Sequence, residues 1–338
     1  MTSDVSQSAA TARPTGRPGH QADGVEASPA GDGAAVPGGR AAGITTAVVL
    51  ATASAAEGGP AAGQDFAGTT IVRRLVDQLA GLGMRTVHVV TRPGWEPALQ
   101  PSLEEVGLSV ALRSSADPAE DLRTVADIAR ATSGGLVVAQ GDIVTHREAL
   151  AGLLANPRIA TGMLAAGGYF GWPFTPRARS SRGRVVSVAS PYHAVDCPNI
   201  TFLGVLKVAS ADRATLVEVA ERLTTLTASP LPPAWDRELE AKAEEWRLAL
   251  AQAALELAGD ESGDPQDVEL PTDDEAQLRR HLAVAPHDVA SLLATGVVRS
   301  GVHLGSSYVR KLFWARPLSS GAVAQAAREI TQYDEDRV

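Results

Sequence analysis

The fold class of this chain depends most on residues 47–63, which read AVVLATASAAEGGPAAG. It begins as a short apolar run and continues into alanines and glycines. Four interpretations compete for this pattern: a phosphate-binding loop after a parallel strand, a degenerate copy of such a loop, a secretion signal, or a linker. A secretion signal is disfavoured, because the preceding segment is too long for an n-region and the apolar run is too short for an h-region.

Composition limits the classes of function that the chain can have. The formal net charge is −9, which argues against a nucleic-acid partner because phosphate binding favours a basic face. Cys197 is the single cysteine, which excludes an internal disulfide and a cysteine zinc cluster and suits a reducing cytoplasm. No apolar run reaches about 18 residues, so no transmembrane helix is expected.

Short apolar runs alternate with amphipathic helical patterns from residue 44 to residue 166. The predicted strands are ITTAVVLAT, TVHVVTRP, LSVALRS, LVVAQGDIV and RIATGMLAA. This alternation predicts an α/β fold, a three-layer α/β/α domain around a mostly parallel sheet. Ligands of such sheets bind at the carboxyl ends of the strands. The turns after Leu50 and around Asp142 are therefore placed on the functional edge.

Four regions are predicted along the chain. Residues 1–43 are rich in Gly, Ala, Pro and Ser, and we expect a disordered tail. Residues 44–228 form the α/β domain, and 229–275 form a long helix and an acidic linker. Residues 276–338 have helical composition, so we expect a helical connector that leads to a membrane domain outside this chain.

Three of these segments together resemble the nucleoside-triphosphate transferase superfamily with a GT-A-like fold. They are AVVLATA at the first strand, GDIV after a later strand, and FLGVLKV at residues 202–208. The resemblance covers roughly residues 44–225. It implies transfer of a nucleotidyl group, with CTP as the expected nucleotide and a polyol phosphate of inositol type as the acceptor. It also implies Mg²⁺ bound by Asp142, with Asn199 as a second ligand. The nucleotide contacts that it implies are Leu50, Ala51, Thr52, Ser54, Gly58 and Gly59.

The loop departs from the pattern of that superfamily where charge matters. No Arg or Lys lies between Leu50 and Arg73, and Glu57 and Asp65 add negative charge. Losing the loop cations removes transition-state stabilisation worth several kcal/mol. Two hypotheses therefore stay open. One is an active cytidylyltransferase with Mg²⁺ at Asp142, and the other is a catalytically degenerate domain that binds a nucleotide or CDP-alcohol or serves as a scaffold.

Two basic segments complete the candidate sites. RARSSRGR supplies a candidate clamp for an anionic acceptor or a lipid head group, with a solvated flexible loop as the alternative. Its arginines are Arg177, Arg179, Arg182 and Arg184.

The segment VVRSGVHLGSSYVRKLFWARPLSS, residues 297–320, resembles the connector that precedes a CDP-alcohol phosphatidyltransferase in fused actinobacterial-type proteins. Its Arg310, Lys311, Trp314 and Arg316 suit a membrane interface, or else a helix packed on the α/β domain. The resemblance implies a role in phospholipid biosynthesis, with the membrane phosphatidyltransferase as a fused or associated partner. It also implies a cytoplasmic location at the inner face of the membrane.

Overall fold

The structure is a computed structural model, and it describes residues 43–104, 106–167, 175–228, 288–309 and 312–335. It also describes short pieces at 240–241, 243–244, 247–248, 251–252, 255 and 264–268. The predicted tail, apart from Gly43, and most of the predicted helix and linker at 229–275 lie outside these residues.

The helices are α1 (Ile71–Gly81), α2 (Glu96–Leu103), α3 (Pro118–Ala131), α4 (Arg147–Leu154), α5 (Arg213–Thr227), α6 (Val289–Arg299) and α7 (Ser320–Glu335). The strands are β1 (Thr46–Ala51), β2 (Asp65–Phe66), β3 (Thr69–Thr70), β4 (Thr86–Thr91), β5 (Ser109–Ser114), β6 (Leu136–Gln140), β7 (Val144–Thr145), β8 (Gly162–Gly167), β9 (Arg177–Ser181), β10 (Arg184–Val188), β11 (Ile200–Val208), β12 (Leu304–Tyr308) and β13 (Trp314–Ala315).

Nine strands form one sheet in the order β5-β4-β1-β6-β11-β8-β12-β10-β9, and β9 also pairs with β11. The half from β5 to β6 is parallel, as the alternating pattern predicts. In the other half β11 runs antiparallel to β6, β8 and β9, and β10 runs antiparallel to β9 and β12. The sheet is therefore mixed rather than mostly parallel, which corrects the prediction for this half.

Helices cover both faces of the parallel half, and β1 shows why its sequence is apolar throughout. Val48 and Leu50 pack with α3, α5 and α6 on one face. Ala47, Val49 and Ala51 pack with α1, α2 and α4 on the other. Neighbouring side chains of a strand point to opposite faces, so a strand buried on both sides reads as a continuous apolar run. Complete burial of a valine or leucine stabilises the fold by about 1.5–3 kcal/mol.

The caps of two helices fix how the strands lead into them. Thr70 accepts a hydrogen bond from Arg73 N at the start of α1. Asp117 accepts one from Glu120 N at the start of α3, and Pro118 occupies the first helical position. Such caps satisfy amide groups that have no partner within the helix.

The C-terminal region is part of the α/β sheet, which differs from the expected helical connector. β12 lies between β8 and β10 and runs parallel to β8. α6 packs in the same core as α3 and α5, and α7 packs against Phe66, Val144 and Phe313. The sheet of the predicted 44–228 domain is therefore completed by residues that follow the linker.

Candidate functional site

A cavity of about 370 Å³ opens at the carboxyl ends of the parallel strands. The end of β1 contributes Leu50, Thr52 and Ser54 to its wall, and the end of β6 contributes Gln140. The residues after β4 contribute Arg92. Its wall also includes the start of α6 and Arg316, which follows β13. The cavity thus lies where ligands bind in sheets of this kind.

The loop after β1 is folded on itself. Ala61 N donates to Ala53 O, and Ala55 N donates to Gly59 O, so the loop closes as a narrow hairpin. Gly58 and Gly59 have φ of 94° and 73°, and a Cβ on either would meet no atom within 4 Å. Only the backbone conformation of this turn therefore favours glycine here. These two glycines serve the turn, and they are exposed rather than directed at the cavity.

Gln140 is fixed by a close approach between β6 and β11. Gly204 has φ of 78° at an irregularity in β11, and a Cβ there would lie 2.3 Å from Gln140 Oε1. Glycine at this position therefore makes room for the Gln140 side chain, which is buried and lines the cavity together with Asp288.

A buried ion pair lies behind the cavity. Arg316 Nε donates to Asp142 Oδ2 at 2.6 Å, and Arg316 Nη1 lies 3.8 Å from Asp288 Oδ2. The Asp142 side chain is 1% exposed and that of Arg316 is 12% exposed. Asp142 Oδ1 is buried and accepts no hydrogen bond from the described residues. Arg316 lines the cavity and Asp142 does not, so the guanidinium faces the cavity and the Asp142 carboxylate lies behind it.

The charges of this group act on one another because they are buried together. Burial lowers the pKa of Arg316, but the attraction of Asp142 and Asp288 outweighs it and the pKa is raised overall. Burial raises the pKa of Asp288, and Arg316, the Ser291 N–H and Gln140 offset only part of that rise. The guanidinium therefore stays charged, while Asp288 binds a proton more readily than an exposed aspartate.

A second arginine lies at the cavity wall and is held equally firmly. Arg92 Nη1 and Nη2 donate to the two carboxylate oxygens of Asp121 at 2.8 and 2.7 Å, and Asp121 is completely buried. Arg92 also donates to Ser115 O. This bidentate arrangement fixes the plane of the guanidinium.

The segment that supplies Arg316, residues 312–320, is anchored to the domain along its length. Phe313 N donates to His146 Nδ1, and Thr145 Oγ1 donates to Phe313 O. Trp314 Nε1 donates to Leu203 O, and β13 pairs with β7. These bonds determine where Arg316 enters the site.

The same segment also reaches the loop after β1. Ala56 N donates to Leu318 O, and the Glu57 carboxylate accepts hydrogen bonds from Ser320 N and Oγ. Glu57 therefore caps the N terminus of α7. The negative charge of Glu57, which was expected to oppose a triphosphate, instead interacts with the start of α7.

The predicted nucleotide contacts separate into two groups. Leu50, Thr52 and Ser54 line the cavity, whereas Ala51, Gly58 and Gly59 do not. Ala51 is buried against β6, where a Cβ on Gly141 would lie 2.9 Å from Ala51 Cα.

The predicted metal ligands are engaged by other protein groups. Asp142 pairs with Arg316, and the Asn199 carboxamide bonds to both the N–H and the carbonyl of Ser180. The part of the chain that the structure describes contains no group of three His, Cys, Asp or Glu side chains able to hold a metal. Mg²⁺ needs near-octahedral oxygen ligands and is repelled by a guanidinium. The site as folded therefore does not fit Mg²⁺.

The basic segments also differ from expectation. RARSSRGR forms the hairpin of β9 and β10 rather than a flexible loop. In the C-terminal segment Trp314 and Arg316 are buried, so neither suits a membrane interface, while Arg310 and Lys311 lie outside the described residues. No helix among the residues that the structure describes is long and apolar enough to cross a membrane.

Sequence reasoning missed four residues of the site. Arg92 and Gln140 follow or end predicted strands, so their position at the carboxyl edge was a usable signal. Asp288 and Arg316 reach the site from the far end of the chain, and no local pattern links them to Asp142, which lies 174 positions before Arg316.

A mixed α/β sheet with a cavity at the carboxyl ends of its parallel strands is the arrangement in which open α/β sheets bind their ligands. Solved structures of nucleotidyltransferases have this fold. The inositol-1-phosphate CTP transferase from T. maritima is similar at a TM-score of 0.52 and 12% identity, over 86% of this chain and 97% of that one. A Bacillus anthracis protein described as a glucose-1-phosphate thymidylyltransferase, solved with sucrose, gives a TM-score of 0.52 and 11% identity, over 84% and 94%. No protein-family model and no curated protein matches the sequence. The chain has a nucleotidyltransferase-like fold.

Proposed function

We propose that this chain binds a cytidine nucleotide of the CDP-alcohol class and does not itself transfer a nucleotidyl group. The observation that carries the proposal is the buried ion pair between Arg316 and Asp142. The resemblance implies Mg²⁺ at Asp142, and a cation of the protein already neutralises that carboxylate. With Asp142 paired to Arg316 and no cation in the loop after β1, the charge that develops on a triphosphate during transfer has little to stabilise it.

The cavity supports a nucleotide as the ligand. Thr52, Ser54 and Gln140 supply hydroxyl and carboxamide groups beside apolar surface from Leu50. Such a mixture suits the base and ribose of a nucleoside, which need directed hydrogen bonds and an apolar wall. The fold is also that of a structure described as an inositol-1-phosphate CTP transferase, which supports cytidine as the base.

The charges around the cavity favour a diphosphate diester over a triphosphate. The arginines at the wall, Arg92 and Arg316, are balanced by Asp121, Asp142 and Asp288. A CDP-alcohol carries about half the negative charge of CTP, so it needs less compensation from the protein. Because of this difference in charge we propose a CDP-alcohol, rather than CTP, as the ligand.

A CDP-alcohol is the donor that phosphatidyltransferases consume. We therefore propose that the domain acts in phospholipid biosynthesis, beside a fused or associated membrane phosphatidyltransferase at the inner face of the membrane. The resemblance of residues 297–320 to the connector of such proteins supports this setting.

Cytidylyl transfer to a polyol phosphate of inositol type, with Mg²⁺, is the second candidate. The unpartnered Asp142 Oδ1 favours it, because this buried oxygen is free to accept a further ligand. The reaction requires Arg316 to leave Asp142, so that the carboxylate faces the cavity.

Binding and turnover distinguish the candidates. The chain is titrated with CDP-inositol, CDP and CTP by calorimetry, first with EDTA and then with Mg²⁺, and pyrophosphate is measured with CTP, Mg²⁺ and inositol phosphate. We expect binding in EDTA, tighter for CDP-inositol than for CTP, and no pyrophosphate. A ligand at about 100 times its Kd stabilises the fold by about 2.7 kcal/mol, so a rise in Tm gives an independent readout.

Gln140→Leu tests the location of binding, and Gln78→Leu is its matched control. Gln78 lies on α1 and donates to Thr145 O, so its loss also removes one hydrogen bond but does not touch the cavity. We expect only Gln140→Leu to lose binding. Pyrophosphate release that disappears in Asp142→Ala would establish the second candidate. Failure to bind any nucleotide would leave the scaffold interpretation.

A further inference from the structure

The hairpin of β9 and β10 is the most concentrated basic feature of an acidic chain. Four arginines, Arg177, Arg179, Arg182 and Arg184, lie within it, and no Asp or Glu occurs between Glu148 and Asp196. The whole chain carries a formal charge of −9. Positive charge is thus concentrated on one hairpin of a chain whose net charge is negative.

Three of the four arginines of the hairpin face solvent because of the alternation of its strands. Ala178, Val185 and Val188 are buried in the core. Arg179 and Arg184 are exposed, and Arg182 is exposed in the turn, with φ of 51°. The buried positions fix the orientation of the hairpin, so its charged face is held rigidly against the end of the sheet.

These exposed guanidinium groups have no acidic partner within the described part of the protein. Arg179, Arg182 and Arg184 make no ion pair there, whereas Arg92 and Arg316 are paired with buried carboxylates. Charges without a partner in the protein remain available to an anion in solution.

One exposed apolar side chain lies beside the arginines. Val186 on β10 is 44% exposed and follows the buried Val185, so it lies on the same side of the hairpin as Arg184. Tyr308 on β12 pairs with Ala165 and lies on the opposite face, where its hydroxyl is 3.3 Å from Ser180 Oγ. A valine beside exposed arginines matches the interface of a bilayer, where charged heads and apolar chains meet.

We propose that the β9–β10 hairpin docks the domain on a bilayer that contains anionic lipids. Arg179, Arg182 and Arg184 contact lipid phosphates, while Val186 enters the interfacial layer. The surface lies on β9 and β10, and the nucleotide cavity lies at the ends of β1, β4 and β6. Docking is therefore independent of the proposed nucleotide ligand, and it is tested without any nucleotide.

Vesicle flotation with the full chain tests the proposal. Vesicles of phosphatidylcholine alone are compared with vesicles that contain about 30% phosphatidylserine, a composition that gives a negative surface potential. We expect binding to the anionic vesicles only, and loss of binding as salt rises from about 0.1 M to about 1 M, because the Debye length falls from about 10 Å to about 3 Å.

Removal of the charges shows how much the arginines contribute to the affinity for anionic vesicles. Each arginine near an anionic surface contributes about fivefold in affinity, so the triple variant Arg179→Gln, Arg182→Gln, Arg184→Gln should bind about a hundredfold more weakly. The matched control removes three exposed arginines, Arg85, Arg113 and Arg123, far from the hairpin. It changes the net charge equally and should retain binding.

Three results would overturn the proposal. Equal loss in the control variant would mean that net charge alone matters. Unchanged binding of the triple variant would exclude the hairpin. Hairpin-dependent binding of inositol phosphate or of single-stranded RNA, without binding to vesicles, would assign the arginines to a soluble anion instead. A Tm close to that of the unmodified chain shows that each variant is folded.

Discussion

Replacement of Arg316 by Gln should destabilise the domain strongly. The change leaves Asp142 buried, with a side chain 1% exposed and neither oxygen paired, because Oδ1 already lacks a partner. Removing one partner of a buried ion pair costs about 3–5 kcal/mol. For a domain of this size about 1 kcal/mol lowers Tm by about 2–4 °C, so Tm should fall by roughly 10 °C.

A double-mutant cycle measured by urea unfolding tests the reasoning. Asp142→Asn should cost less than Arg316→Gln, because Arg316 then keeps Asp288 at 3.8 Å. In the double variant position 142 is neutral, so no buried carboxylate is left there without its partner. The loss of unfolding free energy should therefore be smaller than the sum of the two single losses by at least about 2 kcal/mol.

An exposed arginine gives the matched control for this cycle. Arg130 pairs with Asp127 and Glu221 at the surface, and Arg130→Gln should cost less than about 1 kcal/mol. Additive costs in the cycle, or an Arg316→Gln variant as stable as Arg130→Gln, would refute the view that a buried ion pair holds this site together.

Three further substitutions test other parts of the structure. Burial raises the pKa of Asp288, so the folded state binds its proton more tightly than the unfolded state, and stability should fall as pH rises from about 4 through the raised pKa. Asp288→Asn keeps a capping side chain, and its urea unfolding profile should lack this fall; an unchanged profile would contradict the assignment. Lys207→Met removes three hydrogen bonds to carbonyls at the end of α4, and it should lower the free energy of unfolding by about 2–4 kcal/mol in a thermal unfolding experiment. A loss below about 1 kcal/mol would show that those carbonyls have other hydrogen-bond partners. Gly204→Ala should cost more stability than Gly58→Ala and should also abolish nucleotide binding. Both positions have positive φ, but only a Cβ at position 204 would lie against Gln140. Equal losses of stability would mean that backbone strain alone accounts for both.

The parallel half of the sheet could be predicted from sequence because its signals are local. β1, β4 and β6 are short apolar runs bounded by helical patterns. The position of the cavity followed from strand direction alone.

The other half could not be predicted in the same way. β12 reads LGSSY, a polar and small sequence that becomes a strand only because β8 and β10 flank it. The arginines of RARSSRGR read as a loop, since one buried alanine between charged residues gives little strand signal. α2 continues past Pro101 to Leu103, although a proline inside a helix removes a backbone hydrogen bond, because Leu99 and Leu103 pack in the core.

The chemistry of the site was hidden for a related reason. The motif around Asp142 is local, but its partner Arg316 lies 174 positions away. A carboxylate that follows a strand looks the same in sequence whether it meets a metal or a guanidinium. The missing cations of the loop after β1 were visible in the sequence, but the pairing of Asp142 with Arg316 was not.

The late position of β12 in the chain affects how the protein is synthesised. β8 and β10 leave the ribosome more than a hundred residues before β12, which must later insert between them. At about 5–20 residues per second, the edges of both strands lack this partner for roughly 10 s. Unpaired strand edges attract other chains, so this interval is when the nascent protein is most exposed to aggregation. Newly made chains should therefore depend on a chaperone that covers the unpaired edges of β8 and β10 until β12 has been synthesised.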